Sequence, residues 1–275
     1  MSRIDKRLEA LKRSGEKALI AFVVAGDPDL ETTAELIVAL DGAGVDILEI
    51  GVPFSDPTAD GVIIQEASQR ALKQGTTLPA VLEVIRSVRE RTDIPIVLFG
   101  YYNPIFAFGN EAFARAAKAA GVDGLLVVDL PPEESRELRR YTDRKGLDFI
   151  SLVAPTTPDR RIGEIAGHSS GFLYYISMTG VTGTGKPDVS QVKRDLDRIR
   201  KETPLPVMVG FGISTPGQAG EIAPFADGVV VGSALVRLIH EEARRGDGVE
   251  KACRYVGLLK KALRPTKNER IIKTE

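Results

Sequence analysis

Short apolar runs rich in Val, Ile and Leu recur along the whole chain, separated by longer charged stretches with helical spacing. Eight are evident, at 18–25, 46–52, 94–100, 124–130, 148–154, 171–177, 206–212 and 228–233. Most are almost continuously apolar, as parallel strands covered on both faces are. The intervening stretches are amphipathic or Ala-rich and predict helices over 30–40, 78–91, 111–119, 133–144, 160–166, 189–201, 216–222 and 234–245, several closing on Gly. Eight strand-helix units of about 34 residues each fit a (β/α)8 TIM barrel. Residues 1–13 predict an extra N-terminal helix that closes the bottom of the barrel. No Pro/Ser/Gly-rich linker divides the chain, so one catalytic domain is expected over 1–265, followed by a polar, frayed tail over 266–275. Ala-Gly-Val-Asp occurs at 43–46 and again at 120–123, each time leaving a helix for a strand, which reads as recurrent turn chemistry.

A doubly wound open sheet is the structural rival. Its signature glycines would follow the first strand, where this chain has Ala25-Gly26-Asp27-Pro28; here the glycines gather after the sixth, seventh and eighth runs, which favours the barrel.

Composition narrows the chemistry. With 275 residues, 37 Lys+Arg stand against 38 Asp+Glu, leaving no electrostatic footprint for nucleic acid or an anionic membrane. One Cys (Cys253) and two His (His168, His240) build neither an intrachain disulfide nor a structural zinc centre, so no metal site is expected. The charged N-terminus lacks the apolar core of a signal peptide, and nothing approaches a membrane span, so a soluble cytoplasmic protein is expected.

Three constellations carry chemistry. On the second predicted strand, Ile47, Glu49 and Gly51 share one face and Leu48, Ile50 and Val52 the other. The outer face of a barrel strand packs on apolar helices, so Glu49 is expected inside, near the mouth where barrel active sites lie. No predicted strand carries an Arg or Lys to pair with it. An unpaired interior carboxyl has a shifted pKa, which suits a general acid/base. Asp56 and Asp60 follow on a Pro/Gly loop. Either reads equally as a turn-former, but Asp60 lies just beyond Glu49 and can face the same pocket.

The second constellation is the set of Gly-rich strand exits at 178–186, 210–214 and 232–235. Glycines bring backbone N–H groups close to an anion, and the helix opening at Gly232-Ser233 adds its dipole, so a phosphate site is expected after strands seven and eight. The long Gly/Thr loop after strand six is a candidate lid. The third is aromatic: Phe22, Tyr101, Tyr174 and Phe211 stand in or at the ends of strands, able either to fill the barrel or to wall a pocket for a flat apolar group. Tyr174 and Tyr175 have opposite parity, and periodicity leaves open which faces inward. Phe106 and Phe108 fall in an expected mouth loop and suggest a partner surface.

The run from Leu48 to Gly61, Leu-Glu-Ile-Gly-Val-Pro-Phe-Ser-Asp-Pro-Thr-Ala-Asp-Gly, closely resembles the signature of the tryptophan synthase alpha subunit family. The segments 22–28, 102–105, 180–183 and 210–214 resemble its other landmarks, in order, and the match covers essentially the whole chain. Val62 departs from the Pro that the family often has there, and Met178-Thr179 from the commoner Arg-Ser. The resemblance implies a lyase that cleaves indole-3-glycerol phosphate to indole and glyceraldehyde 3-phosphate by a retro-aldol step in tryptophan biosynthesis. It implies Glu49 as the acid/base at indole C3 and the side-chain hydroxyl, Asp60 as the carboxylate at the indole N–H, and Tyr174 as the active-site tyrosine. Gly183, Gly212, Gly232 and Ser233 match phosphate-binding positions, Phe22 and Phe211 match pocket walls, and Thr182 matches the lid residue that moves toward Asp60. It also implies a partner, the tryptophan synthase beta subunit, which holds the pyridoxal phosphate in an αββα tetramer and receives the indole; this chain itself is expected to bind no cofactor. The family's partner-facing loops correspond to 53–60 and 103–108.

Other enzymes on the same scaffold fit less well. A phosphosugar epimerase wants His and carboxylate metal ligands, and a Schiff-base aldolase wants an interior strand Lys; neither pattern is present. A related isomerase or synthase of the same pathway shares the phosphate site but is expected to lack the Pro-Phe-Ser-Asp-Pro loop. A purely regulatory barrel would carry Glu49, Asp60 and the phosphate loops without turnover.

Overall fold

In the computed structural model, which describes residues 1–176, 188–210, 212–243 and 245–264, eight parallel strands pair in chain order and the last closes on the first. They are β1 (Ala18–Val24), β2 (Ile47–Gly51), β3 (Ile96–Gly100), β4 (Gly124–Val127), β5 (Asp148–Val153), β6 (Leu173–Ile176), β7 (Val207–Gly210) and β8 (Gly228–Val231). The helices among the described residues are α1 (Arg3–Ser14), α2 (Leu30–Gly42), α3 (Val62–Lys73), α4 (Leu78–Val88), α5 (Tyr102–Phe108), α6 (Asn110–Ala120), α7 (Arg136–Thr142), α8 (Asp159–Gly167), α9 (Val189–Glu202), α10 (Pro216–Ile222), α11 (Ser233–Ala243) and α12 (Gly248–Ala262). The expected (β/α)8 barrel with an extra N-terminal helix is therefore what the chain forms. The expected tail lies outside the described residues.

Three helices are additions to the expected set. α3 buries Ile64, Ala67, Ser68 and Ala71, a helical stripe that follows the Glu49–Gly61 segment directly. Gly61 is its N-cap and Val62 its first residue, the position where proline is favoured in helices; that accounts physically for the family's Pro there. α5 occupies the stretch read as a mouth loop. α12 buries Ala252, Val256 and Leu259. It escaped notice because the helix over 234–245 already completed a count of eight. α11 is instead an extra helix that packs on β1, α3 and α12.

Period-two alternation divides the core into two layers. Ala18, Ile20, Ile47, Val97, Leu126, Ile150, Phe172, Met208 and Val230 fill the barrel, joined by Ile4 and Leu11 of α1, which plugs the bottom. The opposite strand faces, with Leu19, Ala21, Leu48, Ile50 and Leu98, pack against helix residues such as Leu36, Leu40, Val81 and Ile85. α1 is held in place by a capping box between Ser2 and Asp5 and by Gly15 in the left-handed conformation at its end.

At the bottom rim, side-chain acceptors recur on alternate strands. Asp46, just before β2, accepts from Leu19 N–H of β1 at 2.8 Å. Asp123, before β4, accepts from Ile96 N–H of β3 at 2.9 Å. Ser170, before β6, accepts from Phe149 N–H of β5 at 2.9 Å. Asp227, before β8, accepts from Val207 N–H of β7 at 2.9 Å. The repeated Ala-Gly-Val-Asp thus ends each time on a residue that caps the preceding strand. Cations compensate the carboxylates: Lys260 Nζ lies 2.7 Å from Asp46, and Arg89 and Arg3 lie 3.1 and 3.0 Å from Asp123.

Asp148 is the uncompensated member of this rim. Its Oδ2 is buried without a partner. Burial raises its pKa, and the nearby Asp5 and Asp123 add to the rise against the opposing hydroxyl bonds from Ser2 and Ser170. A carboxyl that holds its proton more tightly in the folded state destabilises the fold once pH exceeds its unfolded value, and does nothing below that value. Asp148→Asn keeps an acceptor for the hydroxyls and removes the charge. It is expected to raise the melting temperature by about 1–3 °C at pH 7.5, with the gain fading as pH falls to 4 in a thermal-denaturation series.

Candidate active site

The register brings Phe22, Glu49 and Val97 side by side across β1, β2 and β3, and their parity points all three inward. Glu49 is 1% exposed. Neither of its carboxylate oxygens has a hydrogen-bond partner, and burial pushes its pKa up to about 8. A buried carboxyl with no cation costs several kcal/mol as an anion, so it keeps its proton near neutrality.

Tyr174 of β6 faces inward with Phe99 and Leu152. Its pKa is raised by burial and then by the charge of Glu49, which places the two groups in one electrostatic environment. Tyr175 points outward and donates to Asp195 Oδ2 of α9 at 2.6 Å. The parity left open by periodicity is thereby decided for Tyr174. Its ring lies directly over Gly210, where a Cβ would collide with the tyrosine ring and hydroxyl. The Phe22 ring covers Gly51 in the same way, its Cζ 2.6 Å from a Cβ built there. Two strand glycines therefore make room for two pocket aromatics.

The Phe22 ring meets Phe99 edge to face, with centroids 5.1 Å apart. Phe99 is a further inward aromatic that the sequence pattern did not single out, although Val97, Phe99 and Tyr101 share one parity and would have found it. Tyr101, at the end of β3, is 4% exposed. Its hydroxyl accepts from Ala59 N–H at 3.0 Å, and burial pushes the pKa of the next residue, Asp60, up to about 6 against the opposing pull of the Tyr101 hydroxyl. Asp60 is half-buried, next to the Ala59 N–H that the Tyr101 hydroxyl holds at the end of β3.

The exits of β7 and β8 lie beside each other, with Gly210 paired to Val230. Beyond them, Gly212 is exposed with φ of +61°, and a Cβ there would meet nothing within 4 Å. Gly232 precedes Ser233, the first residue of α11, so the first N–H groups of that helix have no acceptor within it. Thr182, Gly183 and Phe211, together with the candidate lid at 178–186, lie outside the described residues.

Elsewhere at the mouth, Arg70 of α3 grips the buried Asp27 after β1 through two bonds of 2.8 and 2.7 Å, tying the loop after β1 to the helix that follows Asp60. Phe106 of α5 is 62% exposed, whereas Phe108 packs on the core beside Phe113. The expected partner surface at 103–108 is therefore a helix, with one of its two phenylalanines turned out and Val62 also exposed. Among the described residues, no cluster of His, Cys, Asp or Glu is arranged to hold a metal ion, and no helix is long and apolar enough to cross a membrane.

The model of the family described as tryptophan synthase alpha chain matches residues 8–264. The chain belongs to that family. It is 54% identical over 263 residues to the tryptophan synthase alpha chain of Citrifermentans bemidjiense, covering 96% of this chain and 98% of the relative. It is 57% identical over 237 residues to that of Geotalea daltonii, covering 86% and 90%. The crystal structure of tryptophan synthase subunit alpha from Legionella pneumophila superimposes with a TM-score of 0.90 at 40% identity, covering 96% of this chain and 98% of that one. As a tryptophan synthase alpha chain, the protein is a lyase that cleaves indole-3-glycerol phosphate to indole in tryptophan biosynthesis, and the family implies a beta-subunit partner.

Proposed function

We propose that Glu49 performs both proton transfers of the retro-aldol cleavage. Held protonated by its burial, it delivers its proton to indole C3. The ring becomes an iminium with positive charge at nitrogen, and the Asp60 carboxylate, accepting the indole N–H, stabilises that charge as it develops. Glu49, now a carboxylate, takes the proton of the hydroxyl on the carbon attached to C3. The C–C bond breaks, its electron pair returns to the ring, and indole and glyceraldehyde 3-phosphate are released with Glu49 protonated again. The observation that carries this reading is the buried, unpartnered Glu49 at the barrel mouth.

The remaining assignments are parts of the same proposal. Phe22, Tyr101, Tyr174 and Phe211 wall the indole site, with Phe99 added to them. Gly183, Gly212, Gly232 and Ser233 hold the phosphate through backbone N–H groups and the start of α11, and Thr182 moves with the lid. The beta subunit binds across 53–60 and 103–108 in an αββα tetramer, carries the pyridoxal phosphate and takes up the indole, and the assembly works in the cytoplasm. Incubation with indole-3-glycerol phosphate is expected to release indole slowly from this chain alone and faster when the beta subunit is added, followed spectroscopically. No indole in either condition overturns the reading.

A further inference from the structure

Tyr101 is fixed more firmly than a wall of the pocket requires. Its ring lies against Phe54 at 5.1 Å, with the planes tilted by 31°. The next residue, Tyr102, donates its backbone N–H to Asp129 at 2.8 Å, which anchors the chain where β3 turns into α5. The group held there is one hydroxyl against the 52–61 loop: it accepts from Ala59 N–H at 3.0 Å, one residue before Asp60, and it acts to lower the pKa of the Asp60 carboxyl. Ala59 itself is exposed and Asp60 half-buried, on a stretch built of short turns at Thr58 and Asp60.

We propose that Tyr101 is a positioning residue for Asp60, its single hydroxyl fixing the backbone of the 52–61 loop and the direction of the carboxylate together. A loop carboxylate otherwise samples many orientations, and a misplacement of about 1 Å at a reacting centre costs roughly 10²-fold in rate. The same hydroxyl favours the charged form of Asp60, the form that a developing cation needs. The charged groups acting on Tyr101 are Asp60, from the loop, and Asp129, from the exit of β4. The consequence for turnover rests on the role of Asp60 proposed above, whereas the hold on the carboxylate does not.

Tyr101→Phe keeps the ring against Phe54 and deletes the hydroxyl alone. Two measurements on the full chain separate the possibilities. In a ¹³C titration of the Asp60 carboxyl without substrate, Tyr101→Phe is expected to move the midpoint up by about one pH unit. In indole release, its kcat is expected to fall about tenfold at pH 6.5 and less at pH 7.5, with KM within about twofold, and to show no further loss in an Asp60→Asn background. An unchanged Asp60 midpoint overturns the proposal, as does an equal loss in the presence and absence of the Asp60 carboxylate. Should Tyr101→Phe not fold, 3-fluorotyrosine at position 101 of the otherwise unaltered chain is expected to report the Asp60 titration in its ¹⁹F shift, and a resonance blind to it overturns the proposal equally. If no form of the chain releases indole, the retro-aldol reading fails while the ¹³C titration still decides the role of Tyr101.

Discussion

Glu49→Gln is expected to lower the rate of indole release by about 10³-fold or more, while indole-3-glycerol phosphate still binds. The amide matches the carboxylic acid in shape and fits the same buried space, but it neither gives a proton to C3 nor takes one from the hydroxyl. Because the folded wild type raises the Glu49 pKa from the usual 4.5 to about 8, the carboxyl destabilises the fold increasingly as pH climbs through that interval. The Gln variant is therefore expected to melt no lower than the wild type at pH 8, and the two to converge near pH 4. Lost activity with a retained melting temperature assigns the loss to chemistry. Near wild-type turnover in Glu49→Gln would remove Glu49 from the mechanism.

Asp60→Asn is expected to cost about 10²–10³-fold in kcat/KM, through loss of the negative charge opposite the indole nitrogen. Wild-type kcat/KM is expected to follow a bell in pH. Its lower limb reflects Asp60, which must be charged and titrates at about 6, and its upper limb reflects Glu49, which must be protonated and titrates at about 8. The sign of each limb follows from the role: activity falls below pH 6 as Asp60 gains a proton, and above pH 8 as Glu49 loses one. The substrate phosphate has its own ionisation near pH 6. A lower limb that survives intact in Asp60→Asn belongs to the phosphate, and full activity in that variant would reduce Asp60 to a turn-former.

Glu49 was legible in the sequence because strand parity is strict: a residue on the inner face of a barrel strand has nowhere else to point, and no strand supplies a cation. The eight strands were legible for a related reason, since burial on both faces demands continuous apolar runs. α3 and α5 were harder to see. Both sit between a strand and its covering helix, where chain length permits a loop as well as a helix, and Tyr102–Phe108 has Asn103-Pro104 near its start, a pair that reads as a turn. The bond from Ala59 N–H to the Tyr101 hydroxyl lay beyond reach altogether, because it joins residues 42 positions apart through loop geometry that no periodicity encodes. The choice between Tyr174 and Tyr175 turned on Asp195 of α9, a partner that becomes visible only once helix and strand are packed.

The alternate-strand caps at the bottom rim bear on how the barrel assembles. Each joins residues 27, 27, 21 or 20 positions apart, whereas closing β8 onto β1 brings together residues such as Lys17 and Ala226, 209 positions apart. Loop-closure entropy rises with that separation. The chain thus contains four successive two-strand quarters, each able to fasten its own lower edge before the ring exists. Glu49 and Ala59 follow from the first quarter and Tyr101 from the second, so the hydroxyl that fixes the loop after Glu49 reaches it from a different quarter of the barrel.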